Sequence, residues 1–309
     1  MSNKTTDITT SIIIVTYNCA NVIEEAILSC IENVNTETII VDNASTDCTK
    51  EIVAQYSEKH LVFISNNTNK GFTQACNQGI KAAQGKYIML LNPDASLQPL
   101  TIPTLLNYIE NNQNVGAVAP SLYYPDGTFQ NYTRRFPTIC GLWVESFVPR
   151  SLWNFFPCYR KYTYQDLDFS SLQIVEQPAG AALLFRNKWL LDETFFIYGS
   201  DVDLCKTIIS EGYQIVQLPE SKVLHLQSKG GTENKELRLY LDLDNYYGMN
   251  YFFKKHHQQF KAFLYRLVFG LSLFLRSILA LFMPHSLPIR WKKFILFAKN
   301  KNFTAFYEQ

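Results

Sequence analysis

The sequence lacks the short motifs that mark several common nucleotide-binding enzymes. No G-x-G-x-x-G follows the first apolar run, and no G-x-x-x-x-G-K-[ST] occurs anywhere. A dinucleotide-binding domain or a P-loop NTPase would therefore be without the glycine-rich loop that holds its phosphates. Any nucleotide that this chain binds must be held in another way.

Cysteine is scattered rather than patterned. The seven cysteines are an odd number at irregular spacings, with no Cys-x-x-Cys among them. This favours free thiols in a reduced compartment over a disulfide framework. The first ten residues are polar and contain no apolar run, so no signal peptide is predicted. We expect a cytoplasmic protein.

The charge is nearly balanced overall but uneven along the chain. The formal net charge is +1, yet residues 254–309 contain ten Lys and Arg and a single acidic residue, Glu308. The remainder is acidic, with 18 basic and 26 acidic residues. With 309 residues and 47% hydrophobic content, the chain can bury a sizeable core. The totals predict an acidic globular part followed by a basic, apolar tail.

Runs typical of strands alternate with helical patterns in the first part of the chain. The strand-type runs are 11–15, 37–41, 61–64, 88–91 and 115–119, and the helical patterns are 21–34, 48–59, 73–84 and 101–112. Such alternation predicts an α/β fold with a mostly parallel central sheet flanked by helices. Residues 121–175 are rich in aromatic residues and break the alternation. They predict loops and short strands around a cleft, or a peripheral subdomain.

Polar residues follow three of these strands at the point where each strand ends. They are Thr16-Tyr17-Asn18, Asp42-Asn43 and Asn92-Pro93-Asp94. Ligands bind at the carboxyl ends of strands in open α/β sheets, which makes these residues candidates for a site. The alternative is that the Asp and Asn side chains simply cap the helices that follow.

Later segments add further candidates. Gly71 precedes a helix and would allow close approach of backbone N–H groups to a ligand, while Gly180 lies where small residues enter a strand at 177–185. Asp201 and Asp203 lie near a helix N-terminus, where negative charge is favoured in any case. A lone histidine such as His225 is more often structural than a ligand.

Seven of these pieces together resemble the family-2 glycosyltransferases of the GT-A fold, a Rossmann-like architecture. They stand nearest the bacterial branch that is often labelled rhamnosyltransferase-like. The matching pieces, in family order, are Ser11–Asn18, Glu37–Asp47, Asn69–Asn77, Gly85–Ala95, Gln177–Phe185, Phe195–Cys205 and His225. Each is weak alone, whereas seven in order over about residues 10–230 are strong evidence.

The resemblance implies a role for each matching residue. Asp201 corresponds to the general base, with Asp203 in reserve, and Asp94 and His225 to residues that meet Mg²⁺ or Mn²⁺ on the diphosphate. The residues implied at the nucleotide are Thr16, Tyr17, Asn18, Asp42, Asn43, Lys70, Gly71, Phe72, Asn77, Asn92, Asp94 and Gly180.

Two departures from the family pattern affect these expectations. Asn92-Pro93-Asp94 stands where the family has D-x-D, so metal dependence is expected to be weaker than in other members. Ser200 precedes Asp201 where the family often has Glu. If that glutamate contacts the acceptor in other members, a different acceptor is implied here.

The tail predicts a helical extension that associates with a membrane. Residues 233–257 predict one helix, and 263–283 form a nearly continuous apolar run interrupted by Arg266 and Arg276. The run is long enough to span a bilayer, but two arginines inside it argue against a span. We expect residues 254–301 to lie in the interface on anionic lipid. A buried or oligomer-forming helix is the alternative.

The resemblance implies a GT-A domain over 1–232, with a nucleotide-binding half at about 1–120 and an acceptor and catalytic half at 121–232, followed by the extension 233–309. The implied enzyme is an inverting glycosyltransferase on the inner face of the plasma membrane. Its partners would be a dTDP- or UDP-sugar donor and a glycan or polyprenyl-linked acceptor, with no nucleic acid. A preference for rhamnose rests on the resemblance alone.

Two alternative functions stay open. One is a non-catalytic nucleotide- or glycan-binding protein on the same fold. The other is a sugar-nucleotide nucleotidyltransferase, for which a triphosphate-binding loop is not evident.

Overall fold

The computed structural model describes residues 8–56, 61–227, 235–256, 258–279, 281 and 287–299. The chain divides into two compact units. The first comprises Met1–Arg134, Leu167–Glu193 and Asp201–Gly230, and the second comprises Arg135–Asp166, Thr194–Ser200 and Gly231–Gln309. The predicted domain boundary at 232–233 falls outside the described residues. The second unit also takes in two segments that the sequence placed in the catalytic half.

The first unit is built on a sheet of nine strands. In chain order these are β1 (Thr10–Thr16), β2 (Thr36–Asp42), β3 (Leu61–Ser65), β4 (Tyr87–Leu91), β5 (Ala95–Leu97), β6 (Val115–Tyr123), β7 (Gln173–Ile174), β8 (Ala182–Arg186) and β9 (Gln214–His225). Its helices are α1 (Ile23–Ile31), α2 (Thr49–Ala54), α3 (Phe72–Ala82), α4 (Thr101–Asn111) and α7 (Ser200–Ser210).

The strand order is β3-β2-β1-β4-β8-β6-β9-β5, with β7 on the side of β9. The first four strands in this order are parallel to one another, as the alternation predicts. The rest of the sheet is mixed, because β8 is antiparallel to both β4 and β6, and β5 and β7 are antiparallel to β9. The parallel character is therefore confined to two regions, β3 to β4 and the β6–β9 pair.

Strands β1, β2 and β4 are apolar runs covered on both faces, whereas β3 lies at the edge of the sheet and is partly exposed. Ile12, Ile13 and Ile14 are at most 1% exposed, and all five residues of β4 are buried. Burial of one such side chain contributes roughly 1.5–3 kcal/mol. On α1, the buried residues Ile23, Ala26, Ile27 and Cys30 recur at helical spacing and face this sheet. These contacts fix where strands β1, β2 and β4 end.

A buried hydrogen-bond network ties the starts of these strands together. The Ser11 hydroxyl donates to Glu37 Oε1 at 2.5 Å, and the Gly85 backbone N–H donates to Ser11 Oγ at 2.9 Å. The Gln84 backbone N–H donates to the same Glu37 oxygen at 2.7 Å. Because Glu37 is 4% exposed, its carboxylate needs these donors. The network sets the register between β1, β2 and the chain that enters β4.

The described part of the second unit is helical. It includes 135–166 of the aromatic section, which predicted loops and short strands around a cleft or a peripheral subdomain. Its α-helices are α5 (Ile139–Phe147), α6 (Pro157–Tyr162), α8 (Lys235–Lys255), α9 (Gln259–Leu279) and α10 (Leu287–Ala298), with a 3-10 helix at Arg150–Phe155. The pair α8 and α9 agrees with the helices predicted for the tail. Among the described helices, none combines the length and apolarity needed to span a bilayer.

One disulfide differs from the expectation of free thiols in a reduced compartment. Cys140 in α5 and Cys158 in α6 are bonded. No local pattern predicts this pair, since their contact depends on how two short helices pack. Cys19, Cys30, Cys48, Cys76 and Cys205 are free.

We expect Gly85→Ala to destabilise the first unit by about 2–4 kcal/mol. A Cβ at Gly85 would lie 2.6 Å from the Ser11 backbone nitrogen and 2.8 Å from Ser11 Oγ, so β1 and the start of β4 would have to separate. Denaturant unfolding followed by circular dichroism measures the change. Lys86→Ala, at the exposed neighbouring position, is the control and should stay within ~0.5 kcal/mol of wild type. Equal stability of the two variants would show that the close approach does not matter.

Candidate active site

The ends of β1 and β2 lie side by side, as the parallel pairing predicts. Thr16 is in register with Asp42, and the Asn43 backbone N–H donates to the Thr16 carbonyl at 2.8 Å. The next strand joins the same edge, because the Asn66 N–H donates to the Asp42 carbonyl at 2.8 Å. The residues predicted to follow these strands are thus brought to one place.

The Asp42 carboxylate organises this edge. It is fully buried and accepts hydrogen bonds from the Thr16 hydroxyl at 3.0 Å and the Ser45 backbone N–H at 3.0 Å. The Ser45 hydroxyl also donates to it. Lys50 Nζ lies 3.6 Å from Oδ2 and supplies a positive charge. These donors explain how a carboxylate is tolerated at a buried strand end.

Asn18 connects the loop after β1 to the loop after β2. Its side-chain oxygen accepts the Thr46 backbone N–H at 2.8 Å, and its own N–H donates to Ser45 Oγ at 2.9 Å. Its φ of 54° lies in the left-handed region, which Asn tolerates better than most residues. Tyr17 beside it is 39% exposed, so an aromatic ring is presented next to this edge.

The loop before α3 is attached to the same cluster through Asn43. The Asn43 side-chain amide donates to the Gly71 carbonyl at 2.9 Å and accepts from Asn66 Nδ2 at 3.0 Å. Gly71 has a φ of 83° and immediately precedes α3, so a glycine is required for this turn. Lys70 is exposed and Phe72 is half-buried.

Asn77 is placed differently from its predicted neighbours. It is 2% exposed, and its amide donates to the Leu191 carbonyl at 2.8 Å and to Glu193 Oε1 at 2.9 Å. Its oxygen accepts the Leu191 N–H at 2.9 Å. These bonds hold the 191–193 segment against α3, so Asn77 has a structural task within the first unit.

Asp94 and His225 are brought together by antiparallel pairing of β5 with β9. Ala95, the residue after Asp94, is in register with His225, and the Leu226 N–H donates to the Asp94 carbonyl at 3.0 Å. His225 Nε2 then lies 3.3 Å from Asp94 Oδ1, with both side chains about 10% exposed. The sequence suggested both residues separately, and the sheet makes them a pair.

Gln130 fixes the orientation of the His225 ring. Its amide nitrogen donates to the His225 backbone carbonyl at 2.6 Å, which leaves its Oε1 facing His225 Nδ1 at 3.0 Å. A carbonyl oxygen can only accept, so the amide orientation is determined and Nδ1 must carry the proton that Oε1 accepts. In the neutral ring the Nε2 lone pair then faces the Asp94 oxygen. Two electron-rich atoms at that distance repel each other, and a proton or a cation between them would remove this repulsion.

Asp201 approaches Gly180 closely. It lies in the first turn of α7 and is half-buried. A Cβ at Gly180 would lie 2.6 Å from Asp201 Oδ2, so the absence of a side chain makes room for the carboxylate. Burial raises the pKa of Asp201, and the Val202 N–H partly opposes this shift. A carboxylate with a raised pKa is better suited to take up a proton.

The Gly180 segment also touches the turn that carries Asp94. The Asn92 N–H donates to the Ala181 carbonyl at 2.9 Å, and the Asn92 carbonyl accepts the Ala95 N–H at 3.1 Å. Asn92, Asp94, Gly180 and Asp201 therefore belong to one neighbourhood of the first unit. Asp203, the reserve for the base, is 3% exposed.

Three residues at this site were missed by sequence reasoning. They are Ser45 and Lys50 at Asp42, and Gln130 at His225. Gln130 lies in the aromatic section, where no pattern separates it from other polar residues.

Across the part of the chain that the structure describes, no group of three or more His, Cys, Asp or Glu is placed to hold a metal. Asp94 and His225 are therefore two potential protein ligands without a third.

A family model described as "Glycosyl transferase family 2" matches residues 11–171. A relative in Mycobacterium tuberculosis, N-acetylglucosaminyl-diphospho-decaprenol L-rhamnosyltransferase, is 27% identical over 213 residues, which are 60% of this chain and 65% of that protein. The Escherichia coli UDP-Glc:alpha-D-GlcNAc-diphosphoundecaprenol beta-1,3-glucosyltransferase WfaP is 33% identical over 105 residues, or 33% of this chain and 42% of that protein. The chain thus aligns with less than two thirds of the length of these relatives.

Solved structures share the fold across nearly the whole chain. A mannosyltransferase from Pyrobaculum calidifontis, in complex with GDP-Man and Mn²⁺, gives a TM-score of 0.55 at 17% identity and covers 93% of this chain and 84% of that one. TarS residues 1–349 from S. aureus give a TM-score of 0.51 at 15% identity and cover 95% and 92% of the two chains. At these identities the likeness concerns the fold alone, and it confirms the predicted GT-A architecture.

Proposed function

Because the chain belongs to glycosyl transferase family 2, we propose that it is an inverting glycosyltransferase with Asp201 as its general base. The observation that carries the proposal is the Asp201 carboxylate set against Gly180, beside the turn that holds Asp94. Buried polar strand ends at Thr16, Asp42 and Asn43 form the edge on which the nucleotide would bind. Asp42 and Asn18 hold that edge in shape, while Tyr17 and Lys70 are exposed beside it.

The chemistry follows from these placements. An acceptor hydroxyl attacks the anomeric carbon of the donor while Asp201 takes up its proton. The bond from that carbon to the diphosphate oxygen breaks, and the nucleoside diphosphate leaves from the opposite face. One displacement of this kind inverts the anomeric centre. A base at the correct distance contributes roughly 10²–10⁴-fold to the rate.

We infer that a divalent cation, Mg²⁺ or Mn²⁺, binds between Asp94 and His225. The Nε2 lone pair facing a carboxylate oxygen supports this, since a cation would relieve their repulsion, and Gln130 holds the ring in the required tautomer. Diphosphate oxygens and water would complete the ligand set, as is usual for Mg²⁺. A bound cation would offset the charge of the leaving diphosphate. The structural relative bound to GDP-Man and Mn²⁺ is consistent with such a site.

We propose a dTDP- or UDP-sugar as the donor, with dTDP-rhamnose the first to test, and a polyprenyl diphosphate-linked glycan as the acceptor. The support is the naming of the two relatives, which act on diphospho-decaprenol and diphosphoundecaprenol substrates. Such an acceptor is held in a membrane, so the enzyme must work at a lipid surface.

A face of α9 supports attachment to that surface. Seven exposed apolar residues fall within about a third of the helix circumference at helical spacing, and we call them the α9 apolar face. They are Phe260, Phe263, Leu267, Leu271, Phe274, Leu275 and Ile278. The exposed cations Lys261 and Arg266 belong to the same helix, and residues 254–301 contain no acidic residue. We propose that this face lies in the interface of anionic lipid on the inner face of the plasma membrane.

Asp201→Asn should lower kcat by roughly 10²–10⁴-fold and leave nucleotide affinity within about threefold, because it removes the base but not the nucleotide edge. Burial raises the pKa of Asp201, so the protonated, inactive form persists to higher pH. The wild-type rate should therefore rise with pH through a midpoint above the ordinary Asp value of about 3.9. Initial rates of nucleotide release from dTDP- and UDP-sugars measure this.

Asp203→Asn is the matched comparison for this test. A large loss of kcat in Asp203→Asn, with Asp201→Asn unaffected, would move the base to Asp203. Wild-type protein that binds nucleotide sugars tightly but transfers no sugar would support the non-catalytic alternative instead.

Nucleotide affinity should depend on the cation in wild type and not in Asp94→Ala. Titration calorimetry with dTDP or UDP, with and without Mg²⁺ or Mn²⁺, should show binding about tenfold tighter with metal, a difference that the variant loses. Gln130→Met, which frees the His225 ring, should weaken metal binding by roughly 10–100-fold and so remove most of this tenfold difference. Asp126→Ala, in an exposed turn, is the control. Identical wild-type affinities with and without metal would refute the cation site.

The double variant Leu267→Glu, Leu271→Glu should lose binding to anionic vesicles, because it places two charges in the middle of the α9 apolar face. In co-sedimentation with phosphatidylglycerol vesicles, most of the wild-type protein should be found in the pellet at low salt. A smaller fraction should pellet at high salt, because salt screens the attraction to anionic lipid. The control is Val34→Glu, Leu100→Glu, at two exposed apolar positions of the first unit. A double variant that still pellets would contradict the proposal, and one that changes oligomeric state would favour self-association of α9.

A further inference from the structure

One face of α8 packs against residues 195–198, the segment that precedes Asp201. Asp244, Gly248 and Tyr251 are spaced at i, i+4 and i+7, which places them in line along the helix. Each of them touches a residue between Phe195 and Tyr198. The contacts differ in kind, being a charged hydrogen bond, a close backbone approach and a ring contact.

The Asp244 carboxylate holds the backbone of this segment. It accepts the Tyr198 N–H at 2.9 Å and also the Ile197 N–H. Asp244 is 5% exposed, and burial raises its pKa to about 6. Burial of a carboxylate costs free energy, and the hydrogen bonds from these two backbone N–H groups offset that cost.

Gly248 allows the helix to approach the segment closely. A Cβ at this position would lie 2.1 Å from the Tyr198 carbonyl oxygen, a distance that no side chain permits. Both backbone groups of Tyr198 are therefore in contact with α8, the N–H through Asp244 and the carbonyl through Gly248. An aromatic contact adds to this grip, since the Phe195 and Tyr251 rings lie 5.1 Å apart at 70°, and Phe195 is 2% exposed.

The chain turns sharply after this segment. Gly199 has a φ of +97°, and a Cβ there would meet the Phe195 ring at 2.9 Å. Helix α7 begins at the next residue, Ser200, and Asp201 is its second residue. Tyr198 is therefore only three residues before Asp201 along the chain.

We propose that Asp244 is a positioning residue for the general base: by holding the backbone N–H groups of Ile197 and Tyr198, it sets the entry of α7 and hence the placement of the Asp201 carboxylate. The inference rests on the proposed function, because it takes Asp201 to be the base. Asp244 touches neither substrate nor Asp201 and acts through the chain between them. A shift of about 1 Å in a reacting group costs roughly 10²-fold in rate, so a modest loosening of the segment matters.

The test compares two carboxylate-to-amide changes on the same helix. Asp244→Asn should lower kcat at least tenfold while KM for the donor and the affinity for dTDP or UDP stay within about twofold. Asp242→Asn, which removes the partner of Lys293 from the same helix, should leave kcat within about twofold. Gly248→Ala, which displaces the Tyr198 carbonyl, should reproduce the kcat loss of Asp244→Asn. Equal losses in Asp242→Asn and Asp244→Asn would reduce Asp244 to a general stabiliser of its unit.

Hydrogen–deuterium exchange gives a readout that does not need turnover. The amides of Ile197 and Tyr198 should be protected in wild type and exchange at least tenfold faster in Asp244→Asn. Unprotected amides in wild type would overturn the inference even if Asp244→Asn failed to fold. Faster exchange with unchanged kcat would overturn the positioning role. If wild type transfers no sugar from any donor, the proposed function fails, and the exchange data still report whether Asp244 holds the segment.

Discussion

Parallel pairing of β1 with both β2 and β4 is the constraint on which the rest of the first unit depends. Because all three strands are buried, their ends cannot shift without exposing apolar side chains or breaking the Ser11–Glu37–Gly85 network. The polar groups that follow them are consequently delivered to one edge. The desolvation cost of burying Asp42 is then offset, since the neighbouring strand and loop supply its donors. The edge at which we propose that the nucleotide binds is thus a consequence of strand register.

The groups that we propose for catalysis and metal binding depend on a different part of the sheet. β8 runs antiparallel beside β4, which places Ala181 next to Asn92 and Gly180 next to Asp201. β5 and β9 place His225 beside Asp94. The parallel strands thus shape the proposed donor site, while antiparallel strands contributed from later in the chain supply the groups proposed to do chemistry. The parallel strands could be predicted from local sequence patterns, whereas the antiparallel pairing could not.

Local patterns were sufficient for the parallel strands and most helices, because a strand covered on both faces must be apolar throughout. Asp42 and Asp94 were recognisable because they lie at or just after the end of a buried strand. Asp201 was recognisable because it lies at the start of a helix. The antiparallel course of β8 had no local signal, as its short apolar run would suit either direction. Gln130 and the Cys140–Cys158 bond were also hidden, because both depend on contacts between segments far apart or on helix packing. The family resemblance implies that Asn77 borders the nucleotide, which stays a prediction. In the structure its side-chain amide holds the 191–193 segment.

The strand order has a consequence for how the chain is made. During synthesis β1 to β4 can pair as they emerge, since their neighbours are already present. β6 lies between β8 and β9, both of which follow it, so its edges remain open until nearly the whole first unit has left the ribosome. An unpaired apolar strand is a template for association with other chains. Chain termination or pausing between Tyr123 and Ala182 would therefore leave a species prone to aggregation rather than a smaller folded domain.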